Sequence, residues 1–155
     1  MELVELLDPQ GIVPSLKAKS KKQALRELSE RAAEICGIDS QLILDALLER
    51  ERLGTTGVGQ GVALPHAKLD EAERLFGIFA RLDQPIDFDS IDERPVDLIF
   101  LLIAPEDAGA EHLRALARIS RLLRNTEFCA KLRGSNHDAA LYALLTDSAA
   151  SSSAA

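Results

Sequence analysis

Leu98-Ile99-Phe100-Leu101-Leu102-Ile103-Ala104 is seven apolar residues without a break. A run this short and uniform suits a central β-strand covered on both faces, which requires helices on either side of its sheet. It stops at Pro105-Glu106-Asp107-Ala108-Gly109, a turn-forming stretch. Upstream, Leu75 to Leu82 reads as a second strand, and Val62-Ala63-Leu64 as a short one ended by Pro65. Before these strands the apolar period is helical. Ser20-Lys21-Lys22-Gln23 has the form of a capping box, Leu25, Leu28, Ala32 and Ile35 follow at three- and four-residue steps, and Gly37 supplies a left-handed stop. Asp39 can cap a second helix that carries Leu42, Ile43, Ala46 and Leu47 and runs out near Arg50 to Leu53, because Gly54 interrupts it.

Beyond the turn, helix grammar resumes. Leu113, Leu116, Ala117, Ser120 and Leu123 trace one stripe, with His112 at its N-terminal end. Thr126 can cap a short helix holding Phe128 and Leu132 and closed by Gly134; Asn136 can cap a last one holding Leu141, Leu144 and Leu145. The order helix, helix, strands, helices predicts one α/β domain over residues 1–147, a mixed β-sheet sandwiched by helices on both faces. Residues 148–155 are only Ser and Ala and predict a frayed, disordered tail.

A length of 155 residues fits a single domain. Eighteen Lys and Arg against 25 Asp and Glu leave a formal charge of −7. With no long basic block, that charge argues against nucleic acid as a partner. No apolar run approaches the roughly 20 residues needed to cross a bilayer. Met1-Glu2-Leu3-Val4-Glu5 lacks the basic and apolar regions of a signal peptide. Cys36 and Cys129 match no zinc or redox spacing, so reduced thiols in a cytoplasmic protein without membrane insertion are expected.

Chemistry concentrates between Thr55 and Lys68, which reads Thr-Thr-Gly-Val-Gly-Gln-Gly-Val-Ala-Leu-Pro-His-Ala-Lys. His66 follows Pro65, whose φ is fixed, and should lie in or beside extended structure. With one ring nitrogen pinned by a backbone carbonyl, the other is open to a partner as a nucleophile. An ordinary surface hydrogen bond is the plain alternative. Gly57, Gly59 and Gly61 do not form a dinucleotide fingerprint, and no Walker Lys-Ser pair follows. His66 and His112 without a carboxylate cluster at ligand spacing make a poor zinc set, so neither metal nor cofactor is expected.

Gly61-Val62-Ala63-Leu64-Pro65-His66-Ala67, preceded by Glu49-Arg50-Glu51-Arg52-Leu53-Gly54-Thr55-Thr56-Gly57-Val58-Gly59, resembles the IIA domains of the mannitol/fructose and nitrogen-regulatory branch of the bacterial phosphotransferase system. Pro85 to Asp92, Pro95 to Phe100 and Glu111 to Leu116 extend the resemblance over nearly the whole chain. Pro-His alone would be worthless; the linked segments together are specific. Phe88-Asp89-Ser90-Ile91-Asp92 and the free-standing chain look more like the nitrogen-regulatory branch than a sugar-specific subunit. The resemblance implies phosphorylation of His66 on Nε2, with Arg50 beside the phosphoryl group and His112 as a second active-site histidine. Ala67 departs from the pattern, since many relatives carry Gly there. Also implied are a small histidine phosphocarrier protein as donor, phosphoenolpyruvate as the ultimate source, and regulatory targets such as potassium-transport or sensor proteins. The alternative is a fructose- or mannitol-type IIA subunit that hands its phosphate to a transporter IIB domain.

Physical chemistry makes these roles coherent. A phosphoryl group on imidazole carries close to two negative charges. Arg50 can present a planar fork to two of its oxygens, in charge-assisted hydrogen bonds of roughly 1.5–3 kcal/mol each. Thr55 and Thr56 can add hydroxyl donors, backbone N–H groups around Gly57 to Gly61 can add more, and His112 can donate a hydrogen bond or orient His66. Phosphoryl transfer needs mainly alignment and charge stabilisation, so an open site suffices. Each residue also has a plainer reading. Arg50 sits in the charge run Glu49-Arg50-Glu51-Arg52, which suits a solvated helix end. Thr55 and Thr56 suit a turn, and His112 a cap or surface position. His137 is assigned no role. A binding module in which His66 never carries phosphate is the remaining possibility.

Overall fold

Residues 98–104 form the core of a strand in which every side chain is at most 1% exposed. The structure, a computed structural model, describes residues 2–147. The tail expected over 148–155 lies outside the described residues. The elements are α1 (Leu3–Leu6), β1 (Leu7–Leu16), α2 (Lys21–Cys36), α3 (Ser40–Arg52), β2 (Gly57–Gly59), β3 (Val62–Ala63), β4 (His66–Leu69), β5 (Phe76–Ile86), β6 (Val96–Pro105), α4 (Ala110–Leu123), α5 (Thr126–Arg133) and α6 (Asp138–Thr146).

The sheet runs β1-β5-β6-β3-β2, and β4 pairs with β6 on the same edge as β3. β6 is antiparallel to β5 but parallel to β3 and β4, so the sheet is mixed. Alternation along β6 divides the core. Ile99, Leu101 and Ile103 pack with apolar residues of α2 and α3, including Leu25, Leu28, Ile43 and Leu47. Leu98, Phe100, Leu102 and Ala104 pack with Ile119, Leu122, Leu132, Leu141 and Leu145 of α4, α5 and α6. Helices therefore cover both faces, as the unbroken apolar run requires.

Local signals set the helix ends. Ser20 Oγ accepts from the Gln23 N–H at 3.1 Å, and Gln23 Oε1 accepts from the Lys19 N–H at 2.9 Å. Gly37 closes α2 at φ 76°, where a side chain would be strained. Asp39 caps α3 by accepting from the Gln41 N–H. Two other caps lie one residue from their expected places. Asn125, not Thr126, caps α5 by accepting from the Phe128 N–H, and α6 begins after His137, not Asn136, without a side-chain cap.

α4 corrects the sequence reading more substantially. Its buried residues are His112, Ala115, Ile119, Leu122 and Leu123, whereas Leu113 is 68% exposed. Both stripes have helical spacing, and packing against the sheet selects the one rotated back by a residue. β1 has no counterpart in the sequence reading, and β5 runs to Ile86 rather than Leu82.

The feature that places the site is a break between β3 and β4. Val62 and Ala63 pair with Leu98 and Ile99, while His66 to Leu69 pair with Leu102 to Pro105. The two segments follow one edge of β6, interrupted at Leu64-Pro65, where proline has no N–H to contribute to a ladder. Pro65 still accepts from the Leu102 N–H at 3.0 Å. The chain thus re-enters the sheet at His66.

Candidate functional site

At that re-entry point the His66 ring folds back on its own strand. Nδ1 lies 2.8 Å from the Leu64 carbonyl oxygen. A carbonyl oxygen can only accept, so Nδ1 carries the hydrogen and Nε2 is left with its lone pair. Burial lowers the His66 pKa from its ordinary value; the Leu64 hydrogen bond opposes this, the Arg50 charge adds to it, and Glu51 opposes it. The ring is accordingly neutral at pH 7, the form in which Nε2 is nucleophilic.

His66 is in register with Leu102, whose side chain belongs to the α4 side of the core. This brings it to His112, in the first turn of α4. The ring centroids are 5.5 Å apart at 77°, an edge-on contact. His112 is 5% exposed, and its Nδ1 is buried with no hydrogen-bond partner among the described residues. Burial lowers its pKa, and the charges of His66 and Lys68 push the same way. An unpartnered buried ring nitrogen is uncommon, and this one belongs to the ring that packs against His66.

Arg50 lies in the last turn of α3, which packs on the other face of the sheet. Its charge nevertheless reaches His66. Its one side-chain hydrogen bond among the described residues runs from Nη1 to the Gly54 carbonyl at 3.1 Å, so much of the guanidinium fork is available to an anion. His66 thus meets His112 ring to ring and lies within reach of the Arg50 charge, the two helices coming from opposite sides of the sheet.

Thr55 and Thr56 are placed differently from the sequence expectation. Thr55 Oγ1 donates to the Phe88 carbonyl at 2.7 Å and accepts from the Gly57 N–H at 3.0 Å. Thr56 is buried, and its hydroxyl donates to Glu51 Oε2. Both hydroxyl protons are engaged within the protein, so these residues build the loop instead of offering donors to a phosphate. Two charged residues that the sequence reading passed over belong here. Lys68 stands two residues beyond His66 on β4, hence on the same sheet face. Glu51, whose side chain is 5% exposed, ties the end of α3 to Thr56. Strand alternation could have found Lys68; nothing in Glu49-Arg50-Glu51-Arg52 singles out the second glutamate.

The fold places this histidine pair at a break in the edge of a mixed sheet, in a small α/β protein with helices on both faces. Residues 5–148 match the family model described as "Phosphoenolpyruvate-dependent sugar phosphotransferase system, EIIA 2", and the chain belongs to that family. Within it the chain is similar to the nitrogen regulatory protein of Bradyrhizobium diazoefficiens, 56% identical over 145 residues, which are 94% of this chain and 95% of that one. The fructose-specific EIIA component of Haloferax volcanii is 37% identical, over 85% of this chain and 81% of its own. The crystal structure of nitrogen regulatory protein IIA-Ntr from Neisseria meningitidis has a TM-score of 0.87 at 32% identity, covering 92% of this chain and 97% of that one. The resemblance to phosphotransferase IIA domains, the nitrogen-regulatory leaning and the mixed sheet between helices all hold. Among the described residues no helix is long and apolar enough to cross a membrane.

Proposed function

We propose that this chain is a phosphohistidine carrier of a phosphotransferase relay whose output is regulatory. The observation that carries the reading is the Leu64–His66 hydrogen bond, which leaves Nε2 as the lone-pair nitrogen of a ring that touches His112 and feels the Arg50 charge. A small histidine phosphocarrier protein is the donor. Nε2 of His66 forms a bond to phosphorus, the donor's N–P bond breaks, and the donor nitrogen leaves with that electron pair. The Arg50 guanidinium meets the charge on the phosphoryl oxygens, and the His112 ring, packed edge-on against His66, steadies the imidazole.

Transfer between two proteins needs a surface on which the second can sit. Leu53, Val58, Ile91 and Leu113 are large apolar residues left exposed. Leu53 caps the end of α3, which carries Arg50, and Leu113 adjoins His112 on α4; Val58 is in β2, and the Ile91 N–H donates to the Gly57 carbonyl of the same strand. A phosphoryl group on His66 adds nearly two charges to the docking surface, which favours one docking partner over another. Targets such as potassium-transport or sensor proteins would read that change.

The 37% identity to a fructose-specific component supports a second reading, a sugar-type IIA subunit. The chemistry at His66 is the same and only the acceptor differs. Incubating the chain with phosphoenolpyruvate and the donor relay should add the mass of one phosphoryl group. Subsequent addition of a fructose- or mannitol-type IIB domain should leave that mass largely in place. Rapid loss of phosphate to IIB would favour the sugar reading, and no uptake at all would leave only a binding module.

A further inference from the structure

Glu51 is a buried carboxylate with its acceptor capacity used on both oxygens. Oε1 accepts from the Thr56 N–H at 3.1 Å and meets Lys21 Nζ at 2.9 Å, while Oε2 accepts from the Thr56 hydroxyl. A carboxylate this enclosed is costly unless it is paired and hydrogen-bonded, and here it is both. Lys21 is itself held, 4.8 Å from the centre of the Phe88 ring and 3.5 Å from Asp89 Oδ2.

The bonds beyond Thr56 lead to the site. The Thr56 carbonyl accepts from the Leu64 N–H at 2.9 Å, and the Leu64 carbonyl accepts from His66 Nδ1 at 2.8 Å. Glu51 is thus joined to the His66 ring through two residues, each gripped on one side and gripping on the other. The opposite side of the loop is closed as well. A Cβ on Gly57 would fall 2.6 Å from Ser90 Oγ and 3.0 Å from the Ser90 backbone, so the loop has no room to slide that way. Thr55 Oγ1 pins it to the Phe88 carbonyl.

We infer that Glu51, fixed by Lys21, is a positioning residue that sets the orientation of the His66 ring through Thr56 and Leu64. The inference rests on the reading of His66 as phosphoryl acceptor for its consequence, but not for its geometry. If Thr56 is released, the Leu64 carbonyl moves, the Nδ1 hydrogen loses its partner, and Nε2 is no longer held as the lone-pair nitrogen. Displacements near 1 Å cost on the order of 10²-fold in a reaction that depends on alignment.

The test uses Glu51→Ala and Thr56→Val, the second keeping side-chain shape while removing only the hydroxyl. Long-range proton–nitrogen NMR of the unphosphorylated protein reports which His66 nitrogen carries hydrogen. Initial rates of phosphate uptake at varied donor concentration separate kcat from KM. In the unsubstituted protein His66 should be almost wholly the Nδ1–H tautomer. Glu51→Ala should give a tautomer mixture and a kcat lowered on the order of 10²-fold with KM little changed; Thr56→Val should move both in the same direction by less. A purely structural ion pair would change folding stability and leave tautomer and kcat alone; that result in Thr56→Val, or in a folded Glu51→Ala, overturns the inference. Should Glu51→Ala not fold, Thr56→Val decides. If the unsubstituted chain never takes up phosphate, the functional reading fails, and the tautomer alone decides the positioning role.

Discussion

His66→Ala is expected to take up no phosphate from the donor relay, with intact mass unchanged after an incubation that labels the unsubstituted chain completely. Neither of the other two histidines is placed to substitute. His112 is in contact with His66 but 5% exposed, with its Nδ1 enclosed. His137 is at the N-cap of α6 and outside the His66 contact. The substitution should leave the fold intact, because His66 is only partly buried and its side chain has one hydrogen bond among the described residues, to the Leu64 carbonyl. Its loss should cost about 1 kcal/mol of stability. Circular dichroism of the variant would confirm that lost labelling is not lost structure. Labelling at the normal rate would remove His66 from the mechanism.

The second large effect is expected from Arg50→Ala. Removing one preorganised donor from developing charge costs about 10²–10³ in rate in related chemistry, and the Arg50 charge is felt at the His66 ring. Phosphate uptake should slow by about 10², and the phosphorylated form should lose its group to water faster. The fold should tolerate the change, since the side chain makes only the bond to the Gly54 carbonyl, and its charge at the end of α3 contributes roughly 0.3–1 kcal/mol. A signature accompanies the rate. The Arg50 charge holds the His66 pKa down, so its removal should raise the midpoint of the His66 titration seen by NMR. Uptake within twofold of normal, with an unmoved titration, would reduce Arg50 to a solvated helix end.

The central strand was legible because Leu98 to Ala104 is uniform enough to demand cover on both faces. The helices α2 and α3 were legible because Ser20, Gly37 and Asp39 act locally, through bonds within a few residues. β1 was hidden for the opposite reason. Pro9, Gly11 and Pro14 break its pattern, and only its edge position beside β5 makes a proline-bearing strand acceptable. Its pairing is irregular between Leu7 and Ile12 and between Val13 and Leu16, the spans that contain the two prolines. The face of α4 could not be chosen from spacing, because the Leu113 and His112 stripes are equally periodic. That choice matters, since it turns His112 inward toward His66.

The site was legible in unequal parts. Pro65 signalled the interruption that presents His66, and the family resemblance singled out Arg50 and His112 from a crowd of similar charges. The directions of the Thr55 and Thr56 hydroxyls were not legible. They depend on Phe88 and Glu51, partners fixed only when the loop, the end of α3 and the segment after β5 come together.

The most direct measurement is the site of attachment on the ring. Long-range proton–nitrogen NMR of the phosphorylated chain should show phosphorus on Nε2 of His66, with Nδ1 still bearing its hydrogen toward the Leu64 carbonyl. Phosphate found on Nδ1, or on any other residue, would contradict the account.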